Sequence, residues 1–216
     1  THNGGTLAQS GNISFRIQSA GTITTGATIP YICYWSSTAV VPPANFQYFI
    51  ANQDNVTLTG NSIFTGYLRT GIYNIITGNF THTVYQLVID SGGEMDLTNS
   101  IINLTYTGNA TNFNDPNSTL ITKNTEICGA YGGSGRSNWK SPKAAAHQII
   151  GKVKNLNFIS GNDVTIVGSV INCVGEGFRQ WNHTTDTEQL LDADPIADIR
   201  LNKPSLDNAN ELQTGG

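Results

Sequence analysis

The chain has 216 residues, a formal net charge of −4 and 12% charged residues, enough length for one sizeable core or for a core with an appendage. The weak acidic balance argues against a basic nucleic-acid binder, and apolar runs no longer than five residues are too short for a membrane-spanning helix. About two fifths of the residues are Asn, Thr, Gly or Ser, a polar but uncharged composition that suits an extended protein outside the cell or on a virion.

Taken in order, residues 1–45 are expected to form an N-terminal arm and capping strands, because an open stack of strands must cover its last edge. Thr1 to Ser10 is Gly-rich and extended; a start at Thr1 fits a removed leader or a fragment. Asn12 to Gln18 alternates, with Ile13, Phe15 and Ile17 on one face, which predicts a half-buried strand. Residues 46–180 read as the main body. Within it, 107–152 is expected to be an insertion, with loop at Asn109 to Ser118 and a short helix at Ala144 to Ile150. Residues 181–216 carry two Lys/Arg against seven Asp/Glu and read as an extended acidic arm, loosely ordered or docked on another subunit through Leu190, Leu191, Ile196 and Ile199.

The body is organised around Val153 to Phe178, where Leu156 and Phe158, Val164 and Ile166, and Val170 and Cys173 mark short strands. Turns are expected at Ser160 to Asp163 and at Val167 to Ser169, since Gly and Asn tolerate tight corners. Turn signals every six to nine residues are too close for ordinary hairpins and fit a parallel solenoid with coils of roughly 20 residues. The phrase recurs. Asn55 to Gly60 matches Asp163 to Gly168, and Glu94 to Asn103 can be laid on Asp163 to Asn172 with Ser100 on Ser169. The tetrads Leu58 to Asn61, Ile76 to Asn79 and Tyr106 to Asn109 repeat a turn. Equating Gly60, Gly78, Asn99 and Gly168 gives gaps of 18, 21 and 69 residues, the last being three coils of about 23 or fewer coils plus an insertion.

Over 54–108 and 153–178 these residues resemble the right-handed parallel β-helix proteins of the pectate-lyase-like superfamily, and among them virus tail spikes and tail fibres. The resemblance implies a mainly β fold, a short right-handed solenoid, and a homo-oligomer, commonly a trimer. An antiparallel β-sandwich filament subunit that donates Asn12 to Gln18 to a neighbour remains the alternative fold. The expected role is structural and host-contact, at the cell exterior or virion surface, with itself and a host polysaccharide as partners and with no cofactor, metal, nucleic acid or membrane insertion.

Two side-chain clusters could carry chemistry. Asp90, Glu94 and Asp96, with Asp163 and Glu176 on later coils, could supply the paired carboxylates of a polysaccharide lyase or hydrolase. However, the Asn-Thr-Asp, Asp-Asp and His-Gly signature of polygalacturonase-like enzymes is missing. Tyr131, Arg136, Trp139, Lys140 and Lys143 join cations to flat aromatics and form the candidate glycan-binding patch. Seven sequons, at Asn12, Asn55, Asn79, Asn103, Asn109, Asn117 and Asn182, are candidate glycosylation sites. Among the three cysteines, Cys173 reads as a small buried hydrophobe. The four histidines have no ligand spacing.

Overall fold

The computed structural model describes residues 14–52, 55–113, 117–132, 135–140, 147–182 and 187–189, with backbone alone at 147–148, 160–165, 174–182 and 187–189. It is all β, a parallel solenoid of about seven turns and not an antiparallel sandwich. One sheet holds 14 strands and a second holds four, Val56–Thr57, Asn74–Ile76, Glu94–Asp96 and Thr119–Ile121. The large sheet bends along its length, because strands such as Ile63–Arg69 and Thr81–Ile89 shift register between Phe64 and Tyr67 where they pair. Two bent parts of the large sheet and the small sheet thus enclose one core.

Alternation sends every second side chain inward, and equivalent residues of successive coils stack. The first coils are lined by rings: Phe46 and Phe64 stack at 5.4 Å, Phe49 meets Phe46 edge-on at 5.1 Å, and Trp35 lies 6.0 Å from Phe49. Later coils use Ile102, Ile127, Ile149, Val153, Leu156 and Ile166, all fully buried. Each such side chain stabilises the fold by about 1.5–3 kcal/mol through removal from water.

Corners are closed by small polar residues. Buried Thr77 and Ser100 share a hydrogen bond of 2.6 Å, Thr77 Oγ1 donates to Asp96 O, and Thr125 Oγ1 donates to Leu97 O at 2.7 Å. Asn99, Asn124, Asn155 and Asn172 turn with φ of 50° to 59°, a conformation that asparagine tolerates better than other residues with a β-carbon. Asn124 donates to Asn99 and Asn172 to Asn155 along the stack. Repeated asparagines such as these are therefore corner residues, whereas Gly168 lies inside a strand.

Several expectations change. Ser14–Ser19 and Thr28–Ser37 pair in parallel with each other and then with Asn45–Ala51, so residues 14–45 are rungs and not a separate cap. Residues 1–13 lie outside the description. The expected insertion 107–152 supplies Thr111–Phe113, Thr119–Ile121, Thr125–Cys128 and His147–Lys154 to the sheets. These described strands lengthen the coils within the stack. The short helix is overturned at 147–150, which belong to strand His147–Lys154; 141–146 are outside the described residues. The turns expected at 160–163 and 167–169 both fall inside one 16-residue strand, Leu156–Ile171, the first as a register shift between Ile159 and Val164 and the second in unbroken pairing with 150–152.

The 69-residue gap is three coils. Ladder steps of 25, 26 and 17 residues join Ile101 to Glu126, Lys152 and Ser169. Ser169 therefore stands over Ile101, one place from the expected Ser100. The tetrads at 58–61 and 76–79 lie on adjacent coils one place out of step: Thr57 stands over exposed Ile76, and buried Leu58, whose N donates to Ile76 O at 2.9 Å, is not its equivalent. The third, 106–109, sits at a different bend, between Ile101–Leu104 and Thr111–Phe113. Of the acidic arm, Thr187–Gln189 pairs antiparallel with Val174–Asn182; 190–216, with Leu190, Leu191, Ile196 and Ile199, are not described.

Candidate binding surfaces

The described acidic candidates do not form one cluster: Asp90 is taken up by Arg69, and Glu94 and Asp96 lie on the small sheet. Asp90 accepts from Arg69 Nε at 2.6 Å and from Arg69 Nη2 at 3.0 Å, a two-pronged ion pair between adjacent coils. Bonding to Asp90 holds the guanidinium above its ordinary pKa range. Glu94 and Asp96 flank buried Met95 on the small sheet, so both point outward. Asp96 Oδ1 takes the Thr98 amide at 2.9 Å. The side chains of Asp163 and Glu176 are outside the description.

The predicted glycan patch comes apart. Trp139 is 0% exposed and packs 5.8 Å from Phe113 inside the core, so it offers no face to a ligand. Arg136 donates to the carbonyl and side-chain oxygens of Asn172 and lies 5.2 Å from the centre of the Tyr131 ring. That clasp ties the antiparallel strand pair Tyr131–Gly132 and Gly135–Trp139 to a corner of a later coil. Tyr131 and Lys140 are exposed. Lys143 is not described.

Of the sequons, Asn55, Asn79, Asn109 and Asn117 are exposed and Asn103 is half-buried; Asn12 lies outside the description, as does the side chain of Asn182. Burial pushes the Cys33 thiol up to about 12 and the Cys173 thiol to about 11. Burial and the Glu126 carboxylate raise Cys128 to about 11. These thiols stay protonated near neutrality and are poor nucleophiles. His82 is buried, with Nε2 2.9 Å from Thr77 O and no partner for Nδ1. Desolvation lowers its pKa and keeps it neutral.

Two surfaces escaped the sequence reading. The first is a groove of about 540 Å³ lined by Asn99, Asn124, Glu126, Gly151, Lys152 and Ser169, among others. It exists because the column above Thr125 continues as Gly151 and Gly168, where β-carbons would come within 1.9 Å of Thr125 O and 1.8 Å of Gly151 O. On its wall Lys152 Nζ lies 3.1 Å from Glu126 Oε1. That bond, with a lesser one from Cys128, holds the Glu126 carboxyl below its usual range.

The second is an outward line on the large sheet: Tyr48, Tyr67, Gln86, Asn109, Asn138 and Asn157, about one residue per coil. Tyr67 pairs with Gln86, Gln86 Nε2 donates to Asn109 O at 2.8 Å, and amide side chains then link Asn138 to Asn109 and Asn157 to Asn138. The Tyr48 and Tyr67 rings are 4.7 Å apart, and beside them Tyr85 and Tyr106 stack at 4.5 Å. Gly66 leaves room for the Tyr48 ring, which passes 2.2 Å from where a β-carbon would be. A signal did exist in the sequence: Tyr48, Tyr67, Tyr85 and Tyr106 recur at 19, 18 and 21 residues, the step of the coils. In comparisons with known proteins, no family, no curated protein and no solved structure matches the chain.

Proposed function

We propose that this chain is a non-catalytic structural and host-contact component of an extracellular fibre or a virion tail spike, a right-handed coil that acts by self-assembly and by binding surface glycans. The observation that carries this reading is the continuous parallel stack with a nearly uncharged exterior of amides, hydroxyls and tyrosines. Such a stack is stiff along its axis and repeats its outer groups at each coil rise, about 4.8 Å. Those properties suit a spike or fibre better than a reaction centre. The ion pair of Asp90 supports the same reading, because both of its carboxylate oxygens are engaged by Arg69 between adjacent coils.

The filament reading with strand donation loses support, since Ser14–Ser19 already pairs within its own chain. Among the described side chains the enzyme reading keeps the outward pair Glu94 and Asp96; Asp163 and Glu176 lie outside them. If it holds, Glu94→Gln and Asp96→Asn should each abolish sugar release from a polysaccharide that the native protein degrades.

Electron microscopy of the purified native protein tests the proposal. Compact trimers or short rods with a repeat near 4.8 Å along the axis are expected. Long helical filaments whose subunits exchange Asn12 to Gln18 would overturn it, as would a compact monomer at all concentrations.

A further inference from the structure

We infer that the outward strip formed by Tyr48, Tyr67, Tyr85 and Tyr106, with the amides of Gln86 and Asn138, binds a neutral linear polysaccharide lying along the solenoid axis. The inference rests on the glycan-contact reading above and moves the contact away from Tyr131 to Lys143, where Trp139 is buried.

Three observations select that ligand. The first is ring placement: Gly66 is buried against the Tyr48 ring, which packs on the backbone there and stays half-exposed. Tyr85, stacked on Tyr106, keeps 38% of its surface open. Flat, half-open rings suit the apolar faces of pyranose sugars, and their hydroxyls and the neighbouring amides suit the sugar hydroxyls. The ladder bonds of Asn109, Asn138 and Asn157 use one N–H of each donating amide, and an amide carries two.

The second is spacing. Successive coils advance by about 4.8 Å, close to the advance of one sugar in an extended glycan, so a linear chain can pass from the Tyr48 and Tyr67 rings to the Tyr85 and Tyr106 rings beside them at about one ring per sugar. The third is charge. The strip carries no carboxylate, and the Arg69 beside it is neutralised by Asp90 at 2.6 Å. Otherwise an acidic glycan would meet no described cation along the tyrosines, only exposed Lys140 two places beyond Asn138, whereas a neutral one needs none. A second copy of the chain fits less well, because the strip is narrow and hydroxyl-edged, unlike the apolar centre of a stable interface.

Titration calorimetry with cellohexaose and maltohexaose as neutral probes, and a hyaluronan hexasaccharide as the acidic one, tests this directly. The native protein is expected to bind at least one neutral probe and to prefer it to hyaluronan. Tyr48→Ser and Tyr85→Ser should each weaken that binding by about tenfold, while Tyr85→Phe, which keeps the ring, stays within about threefold. Gln86→Ala, which removes a half-buried amide bonded to Asn109 O at 2.8 Å, should also weaken binding, and Tyr85→Phe on the exposed ring serves as the fold-neutral check. Failure of both neutral probes to bind, preference for hyaluronan, or indifference to the Tyr→Ser changes would overturn the inference. A change in oligomeric mass by light scattering in the Tyr→Ser variants would also do so, by making the strip an interface between copies. If micrographs still show rods or trimers in any of these cases, the fibre reading survives without this site.

Discussion

The two halves of the solenoid solve the same stacking problem differently. From Asn45 to Leu104 the ladder advances by 18 to 20 residues per coil, and the interior is filled with aromatic rings. Between Ile101 and Lys154 the steps lengthen to 25 and 26 residues, the interior is mainly aliphatic, and bare glycine backbones sit face to face at Gly151 and Gly168. The outer line changes in parallel, from tyrosines to asparagines. Extra chain length is absorbed at bends while the strands keep their register. The core of a coil and the length of its corners are therefore separable, and only the former is tightly constrained.

The largest break in that comparison should come from the aromatic half. Phe64→Ala removes a ring that touches Phe46 and Phe49 and is expected to cost about 3–5 kcal/mol, read by urea unfolding. Because neighbouring coils support each other mainly locally, hydrogen exchange should show protection lost first around 45–70 and much less around Ile127. Uniform loss along the whole stack would refute the idea of two separable halves.

In the other half, the close backbone approach replaces ring packing. Gly168→Ala places a β-carbon 1.8 Å from Gly151 O at φ 143° and is expected to cost on the order of 3 kcal/mol. Gly132→Ala, where a β-carbon meets nothing within 4 Å, is the matched control and should leave the melting temperature nearly unchanged.

Smaller effects sharpen the picture at corners and surface. Asn124→Ala at φ 50° should cost about 1 kcal/mol, and Asn124→Gly much less, since glycine adopts that backbone freely. Arg69→Gln should cost about 1 kcal/mol at low salt, less at high salt, because the Arg69 side chain is 40% exposed and screened.

The smallest effect concerns pH. Burial lowers the folded pKa of His82 beneath its unfolded value, so the unfolded chain takes the proton first. Its contribution is complete above about pH 6.5 and is lost as pH falls from there toward the depressed folded value. His82→Gln should flatten that part of the stability curve measured by denaturant titration; an unchanged slope between pH 6.5 and 5 would show that His82 is not the responsible group.

Much of the architecture was legible from residue spacing. Short apolar pairs such as Ile102 and Leu104, entered from the corner at Asn99, specify narrow strands and tight corners because alternation and left-handed backbone are local properties. The tyrosine line was equally periodic and was overlooked, since its recurrence at the coil step is visible only once those residues are read as outward. Three things were not local. Whether 107–152 left the stack or lengthened its coils depended on Glu126 and Lys152 finding ladder partners up to 26 residues away. The fate of Trp139, inside and not on a sugar-facing surface, depended on the space beside Phe113. Asp90 became a structural ion pair because the next coil brought Arg69 to it. Sequence by itself thus determined the strands, their corners and the uncharged surface, through short-range backbone preference and burial. Tertiary stacking alone decided which residues share a line along the axis, because that depends on the length of every intervening corner.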